Sequence, residues 1–252
     1  MNPSLDTSRR QFIKLVTTGS LAMLCDGKWS TDRVLADIGS EFTSTDGWLR
    51  LRLGDYAALS ETNGSIRIGL NPLRSNHQPN GSFHPIIVNR LPGGDLIALS
   101  AECSHASCAV RTFSQSANAH VCPCHGSRFA LDGRRLSGPA PFGLDRYELR
   151  LIEDQFLEIQ VPRLGFTVNG CLEHWAAGTS LKLEFPARQS VSYEVVRKTN
   201  VDSEWQTIPF ATEAAAIADQ TEYSGSNNIA ALYVSTEGDQ GFYGVRVRIQ
   251  DL

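Results

Sequence analysis

Long apolar runs are missing from this sequence. Nothing among its 252 residues approaches about twenty consecutive apolar positions, so no segment reads as a convincing membrane-spanning helix. An excess of one charge is missing as well. Lys and Arg number 23 against 27 Asp and Glu, a net of −4, and no basic patch offers itself to nucleic acid. GxGxxG, a Walker loop, GxSxG and HExxH are all absent, which removes several enzyme classes from easy reach. What is present is ordinary globular composition, 41% hydrophobic and 20% charged, with length enough for two domains or one sizeable core.

The N-terminus reads SRRQFIKLVTTGSLAML. Paired arginines at Arg9 and Arg10, then Phe12 and Lys14, then the mildly apolar stretch 15–25 resemble a twin-arginine export signal. Small residues suited to cleavage stand at Ala22 and at Ala36, and the choice between them is open; Leu24 before Cys25 is too bulky for a lipoprotein site. The expected layout is therefore a signal and processing region over 1–36 and a linker over 37–46. The resemblance implies a periplasmic or otherwise exported protein, or one held at the membrane through a partner or an uncleaved signal.

From residue 47 onward the periodicity is that of strands. WLRLRL sets Leu49, Leu51 and Leu53 against Arg50 and Arg52, and SIRIGL repeats the pattern with Ile66, Ile68 and Leu70. PIIVNR and DLIALS are split by the turn LPGGD at 91–95, and RYELRLI and QFLEIQV predict a hairpin turning at Glu153 and Asp154. Near Pro162 the character changes. SLKLEF, SYEVVR, EWQTIPF, ALYVS and GFYGVRVRI predict a second β unit over 163–252, similar in pattern to fibronectin type III or Ig-like modules. Trp205 and Tyr243 are expected in its core, Cys171 as a buried small hydrophobe, and TEAAAIADQ as a loop with one helical turn. The fold class is all-β: an antiparallel domain over 47–162 followed by a small β-sandwich.

Two boxes concentrate the chemistry. CSHASC at 103–108 and CPCHGS at 122–127 hold four of the six cysteines and two histidines. Tetrahedral zinc takes four such donors, commonly from two knuckles, but six are offered here. Three of them crowd into Cys122-Pro123-Cys124-His125, too close to chelate one ion comfortably. Two donor pairs on two metal ions, with two cysteines left over, would use every donor once.

C-x-H-x2-C followed by C-P-C-H-G-S resembles the Rieske iron–sulfur proteins, over roughly 47–162. The resemblance implies a single [2Fe–2S] cluster with two Cys on one iron and two His on the other. Its ligands would be Cys103, His105, Cys122 and His125, with a Cys108–Cys124 disulfide. Gly138, Pro139, Ala140 and Pro141 match the family's proline loop, which covers the cluster. Ser127 stands where high-potential members donate a hydrogen bond to a bridging sulfide. Phe129 replaces a Tyr whose hydroxyl donates to a ligand thiolate, so a mid-range potential is expected. His77, His84 and His120 are expected in solvated loops, and His174 beside Trp175.

Three roles follow from the resemblance. An oxygenase would need a further iron on a 2-His-1-carboxylate triad, and only His174 lies downstream. The iron–sulfur subunit of a quinol–cytochrome c reductase, or the small subunit of an arsenite-oxidase-like enzyme, would fit the disulfide and the proline loop. In the first of these, a Leu usually occupies the place of Ala106 and a Gly that of Ser107, and a membrane anchor is usual. The favoured expectation is an exported electron carrier, not itself a catalytic chain. It would pass single electrons between redox proteins such as a c-type cytochrome or a larger oxidoreductase subunit. A structural zinc module is the remaining alternative.

Overall fold

The computed structural model describes residues 45–252 apart from 176, 177, 201 and 236–239, together with the backbone at a few positions between 15 and 26. The described chain is almost entirely β, with two short 3-10 turns at Leu53–Asp55 and Ala57–Ser60. The twin-arginine stretch lies outside the described residues.

The alternation in WLRLRL becomes strand β1 (Thr45–Arg52), which buries Leu49 and Leu51 and turns Arg50 and Arg52 outward. The next strands are β2 (Ser65–Gly69), β3 (Ile86–Arg90) and β4 (Leu96–Ser100). Both faces of β3 are covered, which is why its sequence is a continuous apolar run rather than an alternation. The turn between β3 and β4 closes through Leu91 N–H to the Asp95 carbonyl, 2.8 Å, and Gly94 supplies the positive φ of +93°.

A small three-stranded sheet, β5 (His120–Val121), β6 (Arg128–Phe129) and β7 (Arg135–Ser137), carries the second box between its first two strands. The segment RYELRLI does not form one strand. It divides at Glu148 into β8 (Arg146–Tyr147), which pairs with β4, and β9 (Leu149–Ile152), which pairs with β10 (Phe156–Gly165). The β9–β10 turn puts both Glu153 (φ 50°) and Asp154 (φ 53°) in the left-handed region, the geometry that matches the twist of a tight hairpin.

Beyond β10 come β11 (Asn169–Trp175), β12 (Gly178–Ala187), β13 (Ser192–Lys198), β14 (Gln206–Thr207), β15 (Asn228–Ser235), β16 (Gln240–Val247) and β17 (Gln250–Asp251). One sheet runs β11-β12-β15; the other runs β14-β13-β16, and the short strand Met23–Asp26 lies along β16. The final strand β17 leaves this unit and pairs with β2, completing the five-stranded sheet β8-β4-β3-β2-β17.

The core is correspondingly continuous. One buried cluster runs from Leu49, Ile86 and Val88 through Ile159, Leu164 and Val168 to Phe185, Tyr193, Leu232 and Val245. Phe166, between β10 and β11, packs at 5.5 Å from the ring centres of both Phe185 and Tyr193. A second cluster gathers Ile87, Leu99, Val110, Phe129 and Leu144 around Cys103, Cys108 and Cys122.

Several expectations need correction. Trp205 is only half-buried and lies under the Lys198 ammonium at 5.1 Å, whereas Tyr243 is core. Cys171 is exposed, because its strand turns that side to solvent. His120 is fully buried rather than solvated. The sequence NGCLEHW, which shows no clear alternation, was not expected to form a strand, yet it pairs along its whole length with β12. The segment TEAAAIADQ is a loop with one turn, and the His174 side chain lies outside the described residues.

Candidate metal centre

Loops 103–108 and 122–127 are built alike. In each, the first residue's N–H donates to the last residue's carbonyl: Cys103 to Cys108 at 3.0 Å, Cys122 to Ser127 at 2.8 Å. The fifth residue's N–H returns to the first carbonyl: Ser107 to Cys103 at 2.9 Å, Gly126 to Cys122 at 3.1 Å. That fifth residue is left-handed in both, with φ of 51° at Ser107 and 73° at Gly126. A Ser holds the first of these positions at some conformational cost, and its hydroxyl donates to Glu102 Oε1 at 2.7 Å.

The loops present their donors in two layers. Cys103 and Cys122 lie beneath, each 1% exposed and outside any disulfide. Burial, and after it the adjoining Cys103 thiol, pushes the Cys122 thiol up. His105 and His125 lie above and are exposed; their rings meet edge to face at 4.6 Å, with the two Nδ1 atoms 3.1 Å apart. Cys108 and Cys124 form a disulfide that joins the two loops.

The third side is the segment 138–142. Ala140 N–H donates to the buried Ser127 Oγ at 3.0 Å, which ties this segment to the second loop. Ser104 Oγ donates to the Phe142 carbonyl at 3.0 Å and accepts from Phe142 N–H at 3.2 Å, which ties it to the first. The Arg135 guanidinium donates to the carbonyls of Ala140 and Gly138. Gly138 has φ of +96°, and a Cβ there would stand 2.5 Å from Ser127 Cα. Only glycine lets the two segments touch. Ser104, Arg135 and Phe142 escape sequence reasoning, since nothing in their spacing marks them; the Gly-Pro-Ala-Pro string beside them was the available cue.

His120 belongs to the support. Its Nε2 lies 2.9 Å from the Asn89 amide nitrogen and its Nδ1 3.0 Å from the Arg111 carbonyl, and burial holds its pKa down. His84 sits beside the first loop, 3.0 Å from the Ser107 carbonyl and 3.4 Å from Glu102. His77 lends its carbonyl to Ala109 N–H.

Comparison with known proteins decides the family. Residues 75–148 match the Rieske [2Fe-2S] domain. The cytochrome b6-f complex iron-sulfur subunit of Prochlorococcus marinus (strain MIT 9215) is 34% identical over 178 residues, 64% of this chain and 89% of that subunit. The chain belongs to the Rieske iron–sulfur family. The corresponding subunit of Chlorobaculum tepidum is 40% identical over 76 residues, so the chain spans 40% of that relative's length and 30% of its own. The plasma membrane Rieske protein of Synechocystis PCC 6803 is 29% identical, covering 33% of this chain and 86% of that one, with a TM-score of 0.28.

As a Rieske protein the chain takes one [2Fe–2S] cluster. The donors present suit that group: two buried thiols and two adjoining exposed imidazoles. No helix among the described residues is long and apolar enough to cross a membrane.

Proposed function

We propose that Cys103 and Cys122 hold one iron and His105 and His125 the other, and that the chain serves as an exported carrier of single electrons. The observation that carries this reading is the layered pairing of donors, thiols buried and imidazoles exposed, at the tip of two like-built loops. When bound, the cluster takes up and returns one electron, within about −150 to +300 mV for its class. The chain's own residues set the terms of that exchange. The buried thiols, the disulfide and the segment 138–142 shut water out below and to one side. The exposed imidazoles leave one edge open to a partner. Phe142, 72% exposed and bonded to Ser104 beside His105, gives that rim apolar contact area.

Export by the twin-arginine route fits this centre, since a cofactor inserted in the cytoplasm crosses a membrane only inside a folded chain. The unit 163–252 reads as a fibronectin-like sandwich that spaces or docks the carrier. The Tyr193 hydroxyl accepts a bond from Arg188 N–H at 2.8 Å, five residues upstream, as in the tyrosine corner of Greek-key sandwiches.

Purified protein should contain equal iron and acid-labile sulfide and give a rhombic electron paramagnetic signal on reduction. Colourless protein loaded with zinc would defeat the proposal. The names of the relatives favour a second reading, an iron–sulfur subunit docked to a cytochrome b complex. Cofractionation of the native protein with cytochrome b would select that reading over the free carrier.

A further inference from the structure

Away from the cluster loops, a cavity of about 500 Å³ opens where β17 meets β2. Arg67 on β2, Arg111 and Thr112 just beyond the first loop, Asn76, and Gln250 and Leu252 from the end of the chain line it. No Asp or Glu side chain does. Two guanidiniums therefore face one space, and burial first, then Arg111, pushes the Arg67 pKa down. Arg67 donates one Nη1 bond to the Val110 carbonyl at 3.1 Å, and its Nε lies buried away from the cavity, so the rest of the guanidinium is what faces the space. Among the described residues Arg111 has no carboxylate partner.

An acceptor that carries negative charge would answer two guanidiniums lining one space without a carboxylate side chain. We infer that this cavity is a binding site for a tetrahedral oxyanion, a phosphate or sulfate group held between Arg67 and Arg111. The planar forks of two arginines suit such oxygens, and Thr112, Asn76 and Gln250 supply neutral hydrogen-bonding groups around them. The site straddles the seam between the cluster-bearing domain and the last strand, because Leu252 N–H donates to the Arg67 carbonyl at 3.0 Å. Its occupant would clamp that seam.

The test is calorimetric titration of the cluster-loaded full chain with inorganic phosphate, against chloride at matched ionic strength and pH. Saturable binding of phosphate and of sulfate is expected. Arg111→Gln, on an exposed side chain, should weaken it about tenfold or more, with the cluster's paramagnetic signal unchanged to certify folding. Phenyl phosphate identifies the natural source: tighter binding than phosphate assigns the site to a phosphoester, equal or weaker binding to the free ion. No saturable heat beyond chloride, or equal affinity in Arg111→Gln, would mean an adventitious ion only and overturn the inference.

Discussion

Phe129 is wholly buried within the cluster that holds Cys103 and Cys122, and its ring offers no donor. Under the proposed ligand assignment, Phe129→Tyr adds a hydroxyl beside a thiolate whose negative charge grows on reduction. A hydrogen bond to a charged acceptor is worth about 1.5 kcal/mol, so voltammetry should show a rise of up to about 60 mV in the one-electron potential. A shift of zero or downward would refute the role given to this position. Ser127 acts on two sides: its oxygen already accepts from Ala140, which leaves its proton free to donate. At Gly138 the constraint is steric. Gly138→Ala places a methyl group 2.5 Å from Ser127 Cα at a positive φ, so the covering segment must move away. Thermal denaturation should register a loss of about 2 kcal/mol or more, and cluster absorbance should decay faster in air.

At the scale of loops and strands, the covering segment 138–142 depends on side chains that reach it from elsewhere. Arg135→Ala removes the donors to two of its carbonyls; stopped-flow chelation should show faster iron loss, with little change in the global unfolding midpoint. Much of the element layout was legible in the sequence, because alternation at period two names a half-buried strand wherever one face meets the core. The hairpin at Glu153 and Asp154 and the turn at 91–95 were legible for the same local reasons. Legibility failed where pairing partners, not local pattern, decide the outcome. Strand β11 shows no clear alternation of apolar and polar residues and is a strand because β12 runs beside it. Glu158 sits in an alternating stretch as though it faced water, yet it is buried between Arg50 and Arg150, which supply its counter-charge. His120 looked like a loop residue until Asn89 and the Arg111 carbonyl, 31 and 9 residues away in sequence, closed over it.

The molecule as a whole shares one core between its two β units, so scanning calorimetry should record a single cooperative transition. Tyr193 lies inside that core, 1% exposed, and burial pushes its phenol up to about 12. From pH 10, where the unfolded chain gives up this proton, to about 12, where the folded one does, the native state binds more protons. Its stabilising contribution is complete below pH 10 and is lost as pH climbs through about 12, a fall of about 3 kcal/mol. Denaturant titrations should show that alkaline slope in the parent, and a shallower one in Tyr193→Phe. The ligand boxes were readable from spacing, but the seam that β17 makes with β2 was not, since two residues at the end of the chain carry no periodicity.

That seam, with the aromatic packing of Phe166 against Phe185 and Tyr193, bears on how a carrier of this shape would work. With its two halves knit together, the described part of the chain offers a single open edge of imidazoles to any protein that exchanges electrons with it. Supplier and recipient would compete for the same small landing area, and turnover would alternate between them. Raising the concentration of either protein far enough should therefore slow the overall flow of charge.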